Sequence, residues 1–216
     1  LPEDNLMRSH TKPYIAGALL RRGYKKQALR YYAAMGDAES LAVYGGEGDR
    51  KLYSWEALEL MCRHAPDSPA IPEALQKLVR QLEPGYPPYC FSISDNITQE
   101  SVRERVYALG QRMLSNPKIK DRAMWYYTLA FMDDIKGNTA RACQLLAKAE
   151  KAPSTPLMDK SVKVLRIYLD AKTRTYDRAY DHVLHKQLQW LDRQIRENLT
   201  AKVCEETADF YRLHTN

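Results

Sequence analysis

At 216 residues, with 44% hydrophobic and 28% charged side chains, the chain can bury roughly 70% of its unfolded surface, so it needs no disulfide or metal staple to fold. That composition excludes a segment disordered for want of apolar residues, and no apolar run approaches the length of a membrane span. The formal net charge of +6 permits an acidic protein, a nucleic acid or an anionic surface as partner; the basic residues read as scattered among Asp and Glu, densest at Arg21, Arg22, Lys25 and Lys26.

Taken in chain order, apolar residues recur three and four apart between Pro and Gly breaks, and alternating strand patterns are nearly missing, so the chain is expected to be all-α. Ten helices are predicted over 12–22, 25–35, 37–45, 54–64, 69–82, 98–114, 117–136, 139–151, 156–173 and 176–212, the last with a break near Asn198. Ser68-Pro69, Asn116-Pro117 and Thr155-Pro156 read as helix starts, a capping side chain before a proline at the first helical position, and Asp37, Ser54 and Thr98 as further N-caps. Gly23, Gly36, the Gly45-Gly46 pair and Gly137 read as stops. Short turns between consecutive helices imply antiparallel hairpins.

The segment 84–97, with Pro84, Gly85, Pro87 and Pro88, is predicted to be a non-helical connection between an N-terminal half, 1–83, and a C-terminal half, 98–216, of one repeat domain. Its Tyr86, Tyr89 and Phe91 are expected to pack back onto the helices. Trp125, Tyr126 and Tyr127 are expected in the core. In the last helix Leu184, Leu188, Leu191 and Ile195 form a stripe beside Trp190 that either seals the domain or meets a partner helix.

Across the hairpins one pattern repeats, clearest as Tyr126-x-x-Leu129-Ala130-x-x-Asp133-x-x-x-Gly137 followed by Ala142, Leu146 and Ala149. Gly23 with Ala28 and Tyr32, Ala179 with Val183, and Trp55, Ala57, Leu58 and Met61 give weaker copies. This resembles the tetratricopeptide repeat, whose small Ala on the second helix lets two backbones approach closely. The copies depart from the family: Asp133 stands where an aromatic is common, Arg174 where Gly is expected, and the spacing is irregular. The resemblance implies a stack of helical hairpins forming an α-α superhelix, and as function a non-catalytic scaffold that binds another protein or peptide.

No H-E-x-x-H, G-x-S-x-G, G-x-x-x-x-G-K or G-x-G-x-x-G occurs, so no catalytic residue and no cofactor site is assigned and no enzyme is expected. Asp181-His182-x-x-His185, with Asp177 a turn earlier, is the nearest approach to a zinc site, but a full ligand set cannot be named and the reading is of solvated side chains. Cys62, Cys90, Cys143 and Cys204 form no C-x-x-C and read as free thiols. The sequons at Asn96 and Asn198 would matter only in a secreted eukaryotic chain. Fifteen Tyr against three Phe, with the positive charge, make the alternative function recognition of a glycan or nucleic acid by Tyr and basic side chains, with nucleic acid the less favoured partner. The start at Leu1-Pro2 without Met is what a piece of a longer protein would show, and the chain is expected to be such a piece, whether cytoplasmic or in the cell envelope.

Overall fold

The computed structural model describes residues 6–45, 53–84, 97–117, 119–175 and 177–214, with side chains described between 11 and 196. Among them are ten helices and no strand: α1 Leu6–Arg21, α2 Lys25–Met35, α3 Ala38–Gly45, α4 Ser54–His64, α5 Ile71–Gln81, α6 Gln99–Leu114, α7 Arg122–Ile135, α8 Thr139–Ala149, α9 Pro156–Thr173 and α10 Arg178–His214. Each apolar face follows the helical period. Ile71, Leu75 and Leu78 of α5 are buried at spacings of four and three, as are Ala142, Leu146 and Ala149 of α8. Each large aliphatic side chain buried in this way contributes about 1.5–3 kcal/mol relative to exposure.

Three of the six expected N-caps form, at Asp37, Thr98 and Thr155. The Ser101 amide donates to Thr98 Oγ1 at 3.1 Å and the Thr98 amide to Ser101 Oγ at 3.2 Å, a reciprocal box that starts α6. Asp37 accepts from the Ser40 amide and Thr155 from the Met158 amide. Gly23, Gly36 and Gly137 have positive φ and end α1, α2 and α7.

Four starts differ from expectation. α1 begins at Leu6 and runs through Pro13, because one missing donor does not halt a helix that continues on both sides. At α4 the N-cap is Tyr53, whose amide donates to Glu56 Oε2, and Ser54 is the first helical residue. α5 begins at Ile71: the Ser68 hydroxyl donates to the Ala33 carbonyl at 2.7 Å and accepts from the Ala70 amide, so it holds the turn ahead of the helix rather than capping the first turn of α5. Asn116-Pro117 starts no helix: Ile119 is buried in the turn that follows, Arg122 Nη2 donates to the Leu114 carbonyl at the end of α6, and α7 begins only there.

The chain divides into two compact units, Leu1–Met158 and Asp159–Asn216. In the first, consecutive helices pack as α1/α2, α2/α3, α3/α4, α4/α5, α6/α7 and α7/α8, and alternate helices pack as α2/α4 and α4/α6. The α7/α8 hairpin carries the best copy of the repeat, and Leu129, Ala130, Ala142, Leu146 and Ala149 are all buried in it. Small side chains at the crossing let the two backbones close up. Around the 84–97 segment, Arg103 donates to the Leu82 carbonyl and Gln99 to the Gln81 and Glu83 carbonyls, tying the end of α5 to α6. Tyr86, Tyr89 and Phe91 lie outside the described residues.

In the second unit the Lys163 ammonium sits 4.1 Å from the Trp190 ring centre, and α10 continues past Asn198 without a break. Its apolar stripe is divided: Leu184 and Leu191 are half-buried, Leu188 and Ile195 exposed. Ala179 and Val183, the small and large positions of one weak repeat copy, are exposed, and Tyr180 between them is buried instead. The burial register of α10 is therefore shifted from that copy.

Candidate functional site

The described surface has a groove of about 420 Å³ where α1 and α2 meet the turn between α4 and α5. α1 supplies Lys12. α2 supplies Gln27, Arg30, Tyr31 and Ala34, spaced three, one and three apart on one helical face. The opposite face of α2 carries the buried Ala28, Leu29, Tyr32 and Ala33, so amphipathicity alone directs Arg30 outward, while the half-buried Tyr31 packs part of its ring against the core.

The α4–α5 turn closes the groove with Ala65, Asp67, Ser68 and Pro69. Ser68 is buried and pins this turn to the C-terminal end of α2 through its bond to Ala33, while accepting from the Ala70 amide at 3.2 Å. Gly36 makes the approach possible. A Cβ there would lie 3.1 Å from Ala70 Cβ, and the φ of +72° already favours a residue without one. Apolar surface from Ala34, Ala65 and Pro69 combines with a few convergent polar groups, the composition typical of a binding site.

The charge of this region corrects the reading of scattered basic residues. From Leu6 to Gly36 there are seven Lys or Arg and no Asp or Glu, more than the whole chain's excess of +6, so the remainder is slightly acidic. Arg21, Arg22, Lys25, Lys26 and Arg30 are exposed, and none of them makes an ion pair with a described carboxylate. Tyr14 is 79% and Tyr24 55% exposed on the same hairpin. A count of charge by helix, rather than over the chain, makes this asymmetry visible in the sequence.

A second polar cluster belongs to the scaffold. Asp133 is buried, accepts from the Tyr107 hydroxyl at 3.0 Å and pairs with Arg141 Nε at 3.3 Å, while the Thr139 hydroxyl donates to Asp134. Burial pushes the Tyr107 phenol above its usual range; the Asp133 hydrogen bond and charge add to this and Arg141 opposes it. The aromatic position of the repeat pattern is thus filled by a carboxylate that binds α6 to α7 and α8.

None of the remaining sequence candidates is among the residues that line the groove. Asp177 accepts from the Tyr180 amide and caps α10; His182 is exposed and His185 pairs with Gln189. No group of three metal-ligating side chains occurs among the described residues. Cys62 is a buried free thiol pushed up to about 12 by burial, and Cys143 is free and half-buried. Cys90 and the sequon at Asn96 lie outside the described residues, as do the side chains of Asn198 and Cys204. Among the described residues no helix is long and apolar enough to cross a membrane.

No protein-family model, no curated protein and no solved structure matches this chain.

Proposed function

We propose that this chain is a non-catalytic binding module whose helical hairpins stack as a tetratricopeptide-like superhelix and hold a segment of another protein. The observation that carries the reading is the groove at α1, α2 and the α4–α5 turn, with Tyr31, Arg30, Lys12 and Gln27 converging over an apolar floor. Its walls come from helices held by buried contacts, so a ligand meets a preformed surface and loses little affinity to ordering it.

Unbiased peptide display against the full chain tests this. Peptides are expected to be enriched, and Tyr31→Ala, which removes a half-buried ring that also packs against the core, is expected to release them, as is Arg30→Ala at an exposed position with helicity unchanged. Enrichment that survives Tyr31→Ala refutes the groove, and no enrichment refutes peptide binding. The stacking has its own test in small-angle scattering: an open superhelix should exceed the radius of gyration of roughly 17 Å of a compact domain of this length. A monomer at that compact value refutes it.

A second reading, recognition of a glycan or nucleic acid, is supported by Tyr24, which is exposed between Arg21-Arg22 and Lys25-Lys26. Nucleic-acid binding must weaken steeply as salt rises, so a flat response rejects that form of it.

A further inference from the structure

We infer that the segment held in this groove is acidic, with one large apolar side chain seated on the floor and carboxylates on either side of it meeting Lys12 and Arg30. The inference rests on the peptide-binding reading above and adds the chemistry of the partner.

Three observations carry it. The first is charge: the hairpin that forms the groove holds seven Lys or Arg and no Asp or Glu between Leu6 and Gly36, in a chain otherwise slightly acidic. Segregation on this scale produces a local positive field that attracts an acidic segment and repels a basic one. The second is an unrelieved cost within α2. Lys26 and Arg30 stand four apart on one helical face, a like-charge pair that destabilises a helix. Neither makes an ion pair with a described carboxylate, so an anionic partner relieves this repulsion.

The third observation favours a peptide over a polynucleotide. Asp67 and Gln27 line the groove beside the cations. A peptide offers backbone N–H donors that the Asp67 carboxylate can accept and a carbonyl for the Gln27 amide. A phosphate offers no donor, so a polynucleotide can meet Asp67 only through a base or ribose hydrogen, whereas a peptide brings a backbone N–H at every residue but proline; Asp67 repels phosphate and peptide carboxylate alike, so the carboxylates belong at Lys12 and Arg30. The floor of Ala34, Ala65 and Pro69 is small and apolar, which leaves the 420 Å³ open for a side chain such as Leu, Phe or Trp.

The test uses the full chain and fluorescein-labelled peptides in which three Glu stand on each side of a central Phe, read by fluorescence anisotropy. The controls are the same peptide with Lys for Glu, the same peptide with Ala for Phe, and oligo-uridylate RNA. The Glu-Phe peptide is expected to bind, about tenfold or more tighter than the Ala peptide, with the Lys peptide silent and affinity falling as salt rises. Arg30→Glu, at an exposed position, is expected to weaken binding about tenfold, while Lys160→Glu, an exposed cation of α9, leaves it unchanged. Preference for the RNA, equal binding of Glu and Lys peptides, or indifference to Arg30→Glu overturns the inference. If display enriches neutral or basic peptides that Tyr31→Ala releases, the acidic inference falls and peptide binding stands; if display enriches nothing, both fall.

Discussion

Replacing Gly36 by Ala tests whether the seam between α2 and the α4–α5 turn is as close as the structure has it. Gly23, Gly36 and Gly137 share nearly the same left-handed backbone, with φ of +80°, +72° and +83°. Only Gly36 has a neighbour. A Cβ at Gly23 or Gly137 meets nothing within 4 Å, whereas at Gly36 it meets Ala70 Cβ at 3.1 Å. The left-handed conformation costs an alanine about 1–2 kcal/mol, and the stiffer unfolded chain offsets about 0.4–1 kcal/mol of that, so Gly23→Ala and Gly137→Ala should each lose about 1 kcal/mol. Overpacking against Ala70 adds about 1–2 kcal/mol at Gly36, for a total of about 2–3 kcal/mol.

Urea unfolding followed by circular dichroism, with a common slope, measures all three variants. The double variant Gly36→Ala with Ala70→Gly should recover the packing part while keeping the backbone part, a positive coupling between two residues in contact. Equal losses at the three glycines, or no recovery in the double variant, would show that the seam is looser than 3.1 Å and that the groove is not closed from that side.

Other outcomes follow from the buried polar groups. Asp133→Ala leaves the Tyr107 hydroxyl without its acceptor and should cost about 1–3 kcal/mol in urea unfolding. Arg141, more than half exposed, adds little to that loss, and Tyr107→Phe in the Asp133→Ala background should cost less than it does alone. Alkaline pH should destabilise the fold. Burial raises the phenols of Tyr107 and Tyr127, so the folded state holds these protons more tightly; their contribution is complete below about pH 10 and is lost as pH rises through the folded values. Tyr107→Phe should flatten part of that decline in stability measured against pH, and an unchanged slope would contradict the Tyr107 assignment. Cys62, with its thiol pushed up to about 12, should resist iodoacetamide at neutral pH until urea unfolds α4, as mass spectrometry of the labelled peptide can show; ready labelling of the native chain would contradict its burial.

The ten helices were legible in the sequence because each depends on neighbours within about four residues: the apolar period, a capping Thr98 or Asp37, and a glycine able to take positive φ. The α7/α8 hairpin was legible for the same reason, since Gly137 and Ala142 lie five apart and act on adjacent helices. Ser68 and Asn116 show where such reading stops. Each is a good N-cap by sequence, but Ser68 donates to a carbonyl 35 residues earlier, and the turn after Asn116 bends inward to bury Ile119. Local capping contributes about 1 kcal/mol, and a buried hydrogen bond or apolar side chain outweighs or matches that.

The site divides in the same way. Its charge was present in the composition of α1 and α2, where a count by segment would have found it. Its shape was not, because Lys12, Arg30 and Asp67 share a groove only after α4 and the α4–α5 turn fold back onto α2. The sequence by itself determined where helices form and which of them is basic, since both depend on local composition. Only the tertiary structure decided that Gly36 passes against Ala70 and that an acidic residue, Asp133, is buried among α6, α7 and α8, because packing joins residues whose separation along the chain carries no signal.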